Sequence, residues 1–503
     1  MNRLEINGNS LSFDELRQVV YERREVAPAQ VARTKVAEAR EVVEKLLREN
    51  RVAYAINTGV GKLSDVHIEP AQNRQLQVNL IRSHSAGVGE PLTQEETRAM
   101  MLLRANSLAK GFSGVRAEVI DLICAMLNHG VHPVVPSQGS VGASGDLAPL
   151  AHLALAMIGE GEVWDELGRA SAAEALKRAA ITPLVPEAKE AISLINGTQA
   201  MLAVGSLALL AAEMLAETAD VLGAMSLDAL HGTDVAFDER IHAARPHAGQ
   251  MKVAANLRRL IAGSEIRESH KDCGRVQDAY SLRCIPQVHG AVRDTLEFCR
   301  QTFAIEMNSA VDNPLVFVGN GVEGDIISGG NFHGEPLAFA LDYMAIALSA
   351  LAGISERRIE RLVNPALNEG LPPFLAGDAG INSGFMMPQV TAAALASENK
   401  VLAHPASVDS ITTSGNKEDY VSMGMAAAIK LKKVVANTTH VLAIEACAAA
   451  QALDFLAPLK SSAALQRTHA AIRKVSPTIE KDRVFAVDFA KLANLIRSGA
   501  LVK

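Results

Sequence analysis

The sequence is poor in aromatic residues, nearly balanced in charge and without a cysteine motif, and each of these absences excludes a class of protein. Phe, Trp and Tyr make up 4% of the chain, and no basic block alternates with aromatic residues, so a nucleic-acid-binding surface is not indicated. The formal net charge of −7 is small for 503 residues. Polyanionic partners are therefore not expected.

The five cysteines form neither a disulfide framework nor a metal site. Their number is odd, they are widely spaced, and no CxxC pair or zinc-spaced histidine accompanies them. We interpret them as reduced thiols and expect no metal. Residues 1–14 contain no apolar signal region, and charges interrupt the alanine-rich runs before they reach membrane-spanning length. We therefore expect a soluble, cytoplasmic protein without a membrane partner.

Long stretches rich in alanine and leucine show helical periodicity, and hydrophobic residues make up 49% of the chain, enough for a large core. Very long helices are predicted at 188–230, 285–310, 332–363 and 424–455. The sequence thus predicts a mainly α fold, a central bundle of long helices with an N-terminal lobe and only minor β-hairpins. No break is long or polar enough to be a flexible linker, which predicts one fold over 1–503, subdivided approximately into 1–185 and 186–503.

Two local signals refine this prediction. Thr93 followed by Glu96 is the pattern of a capping box and predicts a helix start. Short apolar pieces at 315–318 and 326–327 predict strands of a minor hairpin between helices.

The loop at 139–147, with the sequence GSVGASGDL, can become an electrophile. If the amide nitrogen of Gly145 attacks the carbonyl carbon of Ala143, loss of two water molecules leaves a methylidene-imidazolone ring whose alkene comes from Ser144. Gly145 offers an unhindered nitrogen, and Gly142 lets the chain bend before the ring. No coded side chain provides such an electrophile.

The same loop has a simpler interpretation. Gly, Ser and Asp also describe an ordinary turn that N-caps a helix starting near Leu147. If the loop cyclises, Asp146 is instead placed to help with proton transfer. The loop alone does not decide between the two.

The longer string at 131–150, which contains HPVVPSQGSVGASGDLAPL, resembles the signature of the aromatic amino-acid ammonia-lyases and aminomutases. The resemblance extends over most of the chain, from about 54 to 422. It implies a mostly α homotetramer whose active sites are formed by residues from three subunits. It also implies the prosthetic group 4-methylidene-imidazol-5-one (MIO), formed from Ala143, Ser144 and Gly145 without an external cofactor. The sequence fits this, since it has no phosphate-binding loop, dinucleotide fingerprint or zinc ligand set.

The resemblance also assigns roles around that group. Tyr54, in the string YAINTGVG, corresponds to the family's base or proton shuttle, although Ala55 and Val60 stand where the family has Gly and Phe. Asn196 corresponds to an asparagine that hydrogen-bonds the prosthetic group. Phe332 is expected to line the pocket near the ring.

A second string, RVQDAYSLRC, contains three candidate residues at helical spacing. In a helical turn Gln277, Tyr280 and Arg283 would lie roughly along one face. Arg283 can bind an α-carboxylate with its planar fork, and Gln277 can donate a hydrogen bond beside it. In the family the tyrosine lies by the prosthetic group, so Tyr280 competes with Tyr54 for the role of base.

Two positions indicate the substrate. His84 is polar where phenylalanine lyases tend to be apolar, and Glu418 matches the glutamate of the histidine enzymes, where tyrosine and phenylalanine enzymes carry an amide. A carboxylate can hold an imidazole N–H, whereas beside a phenyl ring it would be left unpaired at a cost of roughly a few kcal/mol. We therefore expect histidine as the small-molecule substrate, with urocanate and ammonia as products. Lys417 replaces the usual glutamine and faces either the pocket or solvent.

Two alternatives stay open. A tyrosine or phenylalanine ammonia-lyase or aminomutase would use the same prosthetic group and differ in whether Glu418 faces the substrate ring. A helical scaffold protein would explain the alanine-rich helices but not the dispersed polar strings.

Overall fold

The computed structural model describes residues 2–319 and 323–502, and it is 59% helical with 8% strand. The prediction of a mainly α fold with minor β structure is therefore confirmed. In the described residues the α-helices are α1 (Phe13–Tyr21), α2 (Gln30–Arg48), α3 (Asn73–His84), α4 (Gln94–Ala109), α5 (Ala117–Asn128), α6 (Leu147–Met157), α7 (Ala172–Arg178), α8 (Glu190–Ile195), α9 (Gln199–Ala229), α10 (Glu239–Ala243), α11 (Ala248–Ile261), α12 (Glu265–Ser269), α13 (Tyr280–Arg283), α14 (Ile285–Met307), α15 (Glu335–Val363), α16 (Met386–Leu402), α17 (Gly424–Phe455), α18 (Ala463–Val475) and α19 (Phe485–Arg497).

The strands are short and form small sheets of two or three members. They are β1 (Leu4–Ile6), β2 (Val26–Pro28), β3 (Val88–Pro91), β4 (His132–Pro133), β5 (Pro136–Gln138), β6 (Glu162–Asp165), β7 (Gly168–Ser171), β8 (Leu315–Val318) and β9 (Gly324–Ile327). β1 pairs with β2 in parallel, while β3 with β5, β4 with β6, β6 with β7 and β8 with β9 pair antiparallel. The register of β8 and β9, with Leu315 opposite Ile327, confirms the predicted hairpin.

Helix α4 begins as the sequence predicts. The Thr93 hydroxyl accepts the N–H of Glu96 at 3.2 Å, and the Glu96 carboxylate accepts the N–H of Thr93 at 2.9 Å, which completes the capping box. Every residue of α4 from Glu96 to Ala109 is buried, so α4 is a core helix with polar residues inside. Those polar residues must find partners within the protein.

Three of the four long predicted helices are observed with small shifts at their ends. α17 matches its predicted bounds, α14 ends at Met307 instead of 310, and α15 begins at Glu335 instead of 332. Pro336 fits in the first turn of α15, because the backbone nitrogens there have no intrahelical acceptor.

The prediction of one helix over 188–230 is wrong. The helix is interrupted between α8 and α9, where Asn196 is extended with φ −93° and ψ 114° and Gly197 has φ +149°. A Cβ atom on Gly197 would lie 2.4 Å from Arg104 Nη1, so only glycine fits there. This interruption, residues 196–198, is called the α8–α9 break below.

Contacts divide the chain into two compact units. The first comprises Met1–Leu207, Arg300–Leu341 and Pro405–Ile429, and the second comprises Ala208–Cys299, Asp342–His404 and Lys430–Lys503. The predicted subdivision at 185/186 stays a prediction.

Each unit has its own apolar packing. In the first, the buried face of α2, with Ala39, Val43 and Leu46 at helical spacing, packs with Ile56 and Val316. In the second, a buried cluster joins residues of α15, α16 and α17, namely Ala352, Ile359, Ala392, Val441 and Ile444. Beside it, the buried Arg358 guanidinium donates two hydrogen bonds to the Glu445 carboxylate, so that both charges are compensated.

Among the described residues, α9 and α15 are long and apolar enough to cross a membrane, so the prediction that charges interrupt every such run before that length is wrong for these two helices. However, 72% and 61% of their most apolar stretches are buried inside the protein. Such burial is typical of the core helices of a soluble protein.

Candidate active site

The loop around Ser144 is held on one side by the α8–α9 break. The N–H of Asp146 donates to the carbonyl of Gly197 at 2.7 Å, and Gly145 pairs with Gly197 in an isolated parallel bridge. Gly145 has φ +73°, and a Cβ on it would lie 2.1 Å from the Gly197 oxygen. Glycine is therefore required at 145 for both conformation and space.

The other side of the loop contacts the chain just before α17. The N–H of Met423 donates to the carbonyl of Val141 at 2.9 Å, and the Ser422 hydroxyl donates to the carbonyl of Gly142 at 3.3 Å. Ala143 is buried with Met423 in one apolar cluster. The loop is thus held from two separate parts of the chain.

Asp146 is fully buried and links the loop to the first turn of α9. Its carboxylate accepts hydrogen bonds from the Ser140 hydroxyl at 2.9 Å and from the N–H of Met201, in the first turn of α9, at 2.8 Å. α6 begins at Leu147 as predicted, but the Asp146 side chain does not cap it, because the carboxylate is used by those two donors. Burial raises the pKa of Asp146 to about 6.

Ser144 contacts one of the two residues that indicate the substrate. Its hydroxyl donates to Glu418 Oε1 at 3.0 Å, while the Thr413 hydroxyl donates to Glu418 Oε2 at 2.7 Å. The N–H of Thr413 also donates to the carbonyl of Glu418 at 2.9 Å. The Glu418 carboxylate is therefore fixed, with one oxygen directed at Ser144.

His84, at the end of α3, lies close enough to Glu418 for the Glu418 carboxylate to affect its pKa. Its Nδ1 lies 2.9 Å from the carbonyl of Leu80, which can only accept, so Nδ1 carries the hydrogen and neutral His84 has its lone pair on Nε2. Burial lowers the pKa of His84, against the opposing effects of that hydrogen bond and of the Glu418 carboxylate. His84 is thus neutral at neutral pH and offers an acceptor.

Tyr54 is half-buried, and its hydroxyl oxygen accepts the N–H of Gly61 at 3.1 Å. The turn that begins at Gly61 packs against the turn before Glu418, since a Cβ on Gly61 would lie 2.8 Å from Ser414 Oγ. The structure therefore brings the Tyr54 string to the loop that carries Glu418.

The three departures from the family pattern have different environments. Ala55 is buried with φ +57°, a conformation that costs an L-residue about 1 kcal/mol and that glycine adopts freely. Val60 is half-buried and precedes the turn at Gly61–Leu63. Lys417 is exposed, which corresponds to the solvent-facing alternative.

Asn196 and Phe332 also belong to the first unit. The side chain of Asn196 stands at the α8–α9 break, and its buried Oδ1 has no hydrogen-bond partner among the described residues. A buried amide oxygen without a partner is costly, which is typical of a group that meets a ligand. Phe332 lies in the turn before α15 and is half-buried.

Gln277, Tyr280 and Arg283 belong to the second unit, and Ser144 belongs to the first. The Arg283 guanidinium lies over the Tyr280 ring, 4.5 Å from its centroid, and the Tyr280 side chain is 72% exposed. Arg283 Nε is buried without a partner in the described residues.

The prediction that these three residues share a helical turn is wrong, because α13 comprises only Tyr280–Arg283 and Gln277 precedes it outside any helix. The cause is the anchoring of the preceding segment. The Asp278 carboxylate accepts the N–H of Thr233 at 2.6 Å, and Arg275 pairs with Glu369 at 2.7 Å. These contacts hold the chain away from a helical path.

The structure adds residues that the sequence did not single out. Thr413 orients Glu418, Ser140 and Ser422 hold the loop, and Arg104 binds the α8–α9 break, where its Nη1 donates to the carbonyl of Asn196 at 2.9 Å. Ser422 and Arg104 lie far in sequence from the segments that they hold, so no spacing pattern identifies them. Thr413 is close to Glu418 in sequence, but proximity alone does not show a contact. Only for Ser140, inside the motif string, was a signal available.

The residues around Ser144 fit a group formed from the chain itself. In the bridge to Gly197 the donor is the N–H of Asp146, so the nitrogen of Gly145 is not used by that pairing. The Asn196 side-chain amide has N–H groups that can donate to a ring carbonyl. A Cβ on Gly145 would collide with the Gly197 oxygen, so the backbone at 145 carries no side chain. In the described residues, no group of three or more His, Cys, Asp or Glu could hold a metal ion.

Comparison with known proteins agrees with this geometry. Residues 11–474 match the family model of aromatic amino acid lyases. The chain is 69% identical to a histidine ammonia-lyase of Koribacter versatilis, covering 100% of this chain and 99% of that protein, and 52% identical to one of Anaeromyxobacter sp., covering 100% of both.

Solved structures of two kinds of enzyme share the fold. The crystal structure of histidine ammonia-lyase from Trypanosoma cruzi superposes with a TM-score of 0.92 at 44% identity, covering 99% of this chain and 94% of that one. Tyrosine aminomutase from Streptomyces globisporus superposes with a TM-score of 0.94 at 39% identity, covering 100% and 98%. Because both superpose equally well, the fold alone does not determine the substrate.

Proposed function

The chain belongs to the aromatic amino acid lyase family, and we propose that it is a histidine ammonia-lyase, which converts L-histidine to trans-urocanate and ammonia. This reaction is the first step of histidine degradation. The observation that carries the proposal is the Glu418 carboxylate, fixed by Thr413 and directed at Ser144 with an Oε1 to Oγ distance of 3.0 Å. Histidine ammonia-lyases of high identity support the same assignment.

The reaction needs an electrophile, because the Cβ–H bond of an amino acid is not activated by a neighbouring carbonyl, and general-base catalysis alone supplies only a few orders of magnitude. The family is the MIO-dependent class of lyases and aminomutases. Ala143, Ser144 and Gly145 would form the MIO group, whose alkene would supply the electrophile for the substrate amine. Asn196, whose side-chain N–H groups can donate to the ring carbonyl, and the α8–α9 break would hold it.

The substrate imidazole is recognised by two acceptors. Neutral His84 offers Nε2 as an acceptor. Glu418 offers Oε1, which becomes free to accept another hydrogen bond when the Ser144 hydroxyl is eliminated. Two acceptors suit an imidazole, which carries one N–H when neutral and two when protonated. A phenyl or phenol ring would leave the Glu418 carboxylate desolvated and without a partner.

Tyr54 is the proposed base, which in its phenolate form takes the Cβ proton onto the side-chain oxygen. The hydrogen bond donated by the Gly61 N–H fixes the position of that oxygen, and the same segment packs beside the Glu418 loop. Tyr280, whose side chain is largely exposed in the single chain, is the rival for this role.

We propose that Arg283, contributed by another subunit, binds the substrate α-carboxylate through its guanidinium fork with Gln277 donating beside it. Phe332 is proposed to line the pocket. We propose a homotetramer in which active sites are shared between subunits. An exposed apolar groove on α14 and α15, about 790 Å³ in volume and lined by Phe298, Tyr343 and Ile346, supports burial of these helices in an assembly. The cytoplasm is the proposed compartment.

The function is tested by incubating the purified protein with L-histidine, L-tyrosine and L-phenylalanine in parallel and recording product absorbance, with Ser144→Ala as the control. Urocanate formed from histidine alone, and lost in the control, is the expected result. Activity on tyrosine or phenylalanine alone would assign the chain to the lyases or aminomutases of those substrates. No activity with any of the three would contradict the proposal.

A further inference from the structure

Arg104, on core helix α4, spans the α8–α9 break with its guanidinium. Nη1 donates to the carbonyl of Asn196 at 2.9 Å and to Gln199 Oε1 at 2.7 Å, and Nη2 donates to the carbonyl of Ser193. One side chain thus binds the end of α8, the break itself and the first residue of α9. The Arg104 side chain is fully buried.

Among the described residues, no carboxylate is in contact with Arg104 to compensate its charge. The negative charge of Asp312 raises the pKa of Arg104 without direct contact, but Asp312 is itself paired with the buried Lys189 at 3.3 Å. Burial lowers the pKa of Arg104 to about 10, and its Nε has no partner among the described residues. Burying a guanidinium without a compensating charge destabilises a protein. The presence of Arg104 here therefore needs a reason other than stability.

That reason lies in what the break contacts. Gly197, directly after Asn196, accepts the N–H of Asp146 and pairs with Gly145, and the space for its Cβ is filled by Arg104 Nη1 at 2.4 Å. The position of Gly197 therefore depends on Arg104, and the position of the loop depends on Gly197.

We propose that Arg104 is a positioning residue for formation of the prosthetic group, holding the α8–α9 break so that the Gly145 nitrogen and the Ala143 carbonyl carbon are presented to each other. The inference rests on the proposed function, since it requires that the loop cyclises. The bond formed joins that nitrogen to that carbon, and two water molecules leave, one carrying the Ala143 carbonyl oxygen and one the Ser144 hydroxyl.

Arg98 provides a matched control on the same helix. It is also buried, its pKa is also lowered to about 10 by burial, and its guanidinium also donates to backbone carbonyls, at 3.0 Å to Leu127 and 2.6 Å to Val19. These carbonyls belong to α5 and α1 and not to the α8–α9 break. Loss of Arg98 therefore tests burial and general stability without touching the loop support.

The experiment compares wild type, Arg104→Met, Arg104→Lys and Arg98→Met by intact-protein mass, which separates the cyclised chain from one that retains two water molecules. Circular dichroism measures the folded fraction of each. We expect a cyclised wild type, a cyclised but less stable Arg98→Met, an Arg104→Met in which most of the chain stays uncyclised, and partial recovery in Arg104→Lys.

Complete cyclisation of folded Arg104→Met would overturn the inference. If that variant does not fold, Arg104→Lys and Gln199→Leu decide: slower cyclisation than wild type in either supports the inference, and wild-type behaviour in both overturns it. An uncyclised wild type would instead contradict the proposed function.

Discussion

Replacing Glu418 with glutamine substitutes an NH2 group for one oxygen of a fixed carboxylate and removes the negative charge. In the structure Oε2 is engaged by Thr413 at 2.7 Å, and Oε1 is the oxygen directed at Ser144. One charge-assisted hydrogen bond to the substrate ring is therefore lost. Such a bond contributes about 1.5–3 kcal/mol, which corresponds to a fall in kcat/KM for L-histidine of about 10- to 150-fold.

The assay is urocanate absorbance at a series of histidine concentrations, with L-phenylalanine measured beside it. The ratio of kcat/KM for histidine over phenylalanine should fall, because an amide no longer penalises the phenyl ring. Lys417→Gln is the matched control, since it changes the exposed neighbouring residue and should leave both values unchanged. Wild-type kcat/KM for histidine in Glu418→Gln would refute the assignment of Glu418 to the substrate ring.

Three other substitutions test the loop and the ring site. Gly145→Ala places a Cβ 2.1 Å from the Gly197 oxygen, so we expect no cyclisation by intact mass and no activity. The control Gly168→Ala has open space around its Cβ but φ +107°, and should lower the free energy of urea-induced unfolding by only about 1 kcal/mol. Equal loss of cyclisation and activity in both variants would contradict this account. Burial raises the pKa of Asp146 to about 6, so between about pH 4 and 6 the folded protein keeps a proton that the unfolded chain releases. The free energy of unfolding of the wild type therefore falls as the pH rises from about 4 to about 6. Asp146→Asn should therefore gain about 3 kcal/mol relative to wild type between pH 4 and 6, and a pH-independent difference in unfolding free energy would exclude the shift. His84→Leu removes a neutral acceptor and should lower kcat/KM for histidine about two- to tenfold with the cyclised mass unchanged; unaltered kinetics would remove His84 from the site.

The sequence predicts the fold class, the capping box at Thr93 and the hairpin at 315–327 because these depend on local composition and spacing. It does not predict the α8–α9 break, since apolar periodicity continues across Asn196 and the hydrogen bonds at the break come from Arg104, which is distant in sequence. The non-helical segment that contains Gln277 is likewise anchored by a distant part of the chain, since Asp278 accepts the N–H of Thr233.

For the candidate site, motif strings identify which residues carry the chemistry, and the structure shows how some of them meet. The contact between Ser144 and Glu418 joins residues 274 positions apart, and no spacing rule relates them. Thr413 lies close to Glu418 in sequence, yet only the geometry shows that its hydroxyl fixes the carboxylate.

The central claim is that the loop of Ala143, Ser144 and Gly145 becomes the electrophile of an ammonia-lyase. The most direct test is the mass of the proteolytic peptide that contains these three residues, isolated from the purified wild-type protein. The account predicts a peptide lighter than its sequence by two water molecules, with the full mass restored in Ser144→Ala apart from the missing oxygen. A wild-type peptide with the full mass of its sequence would contradict it.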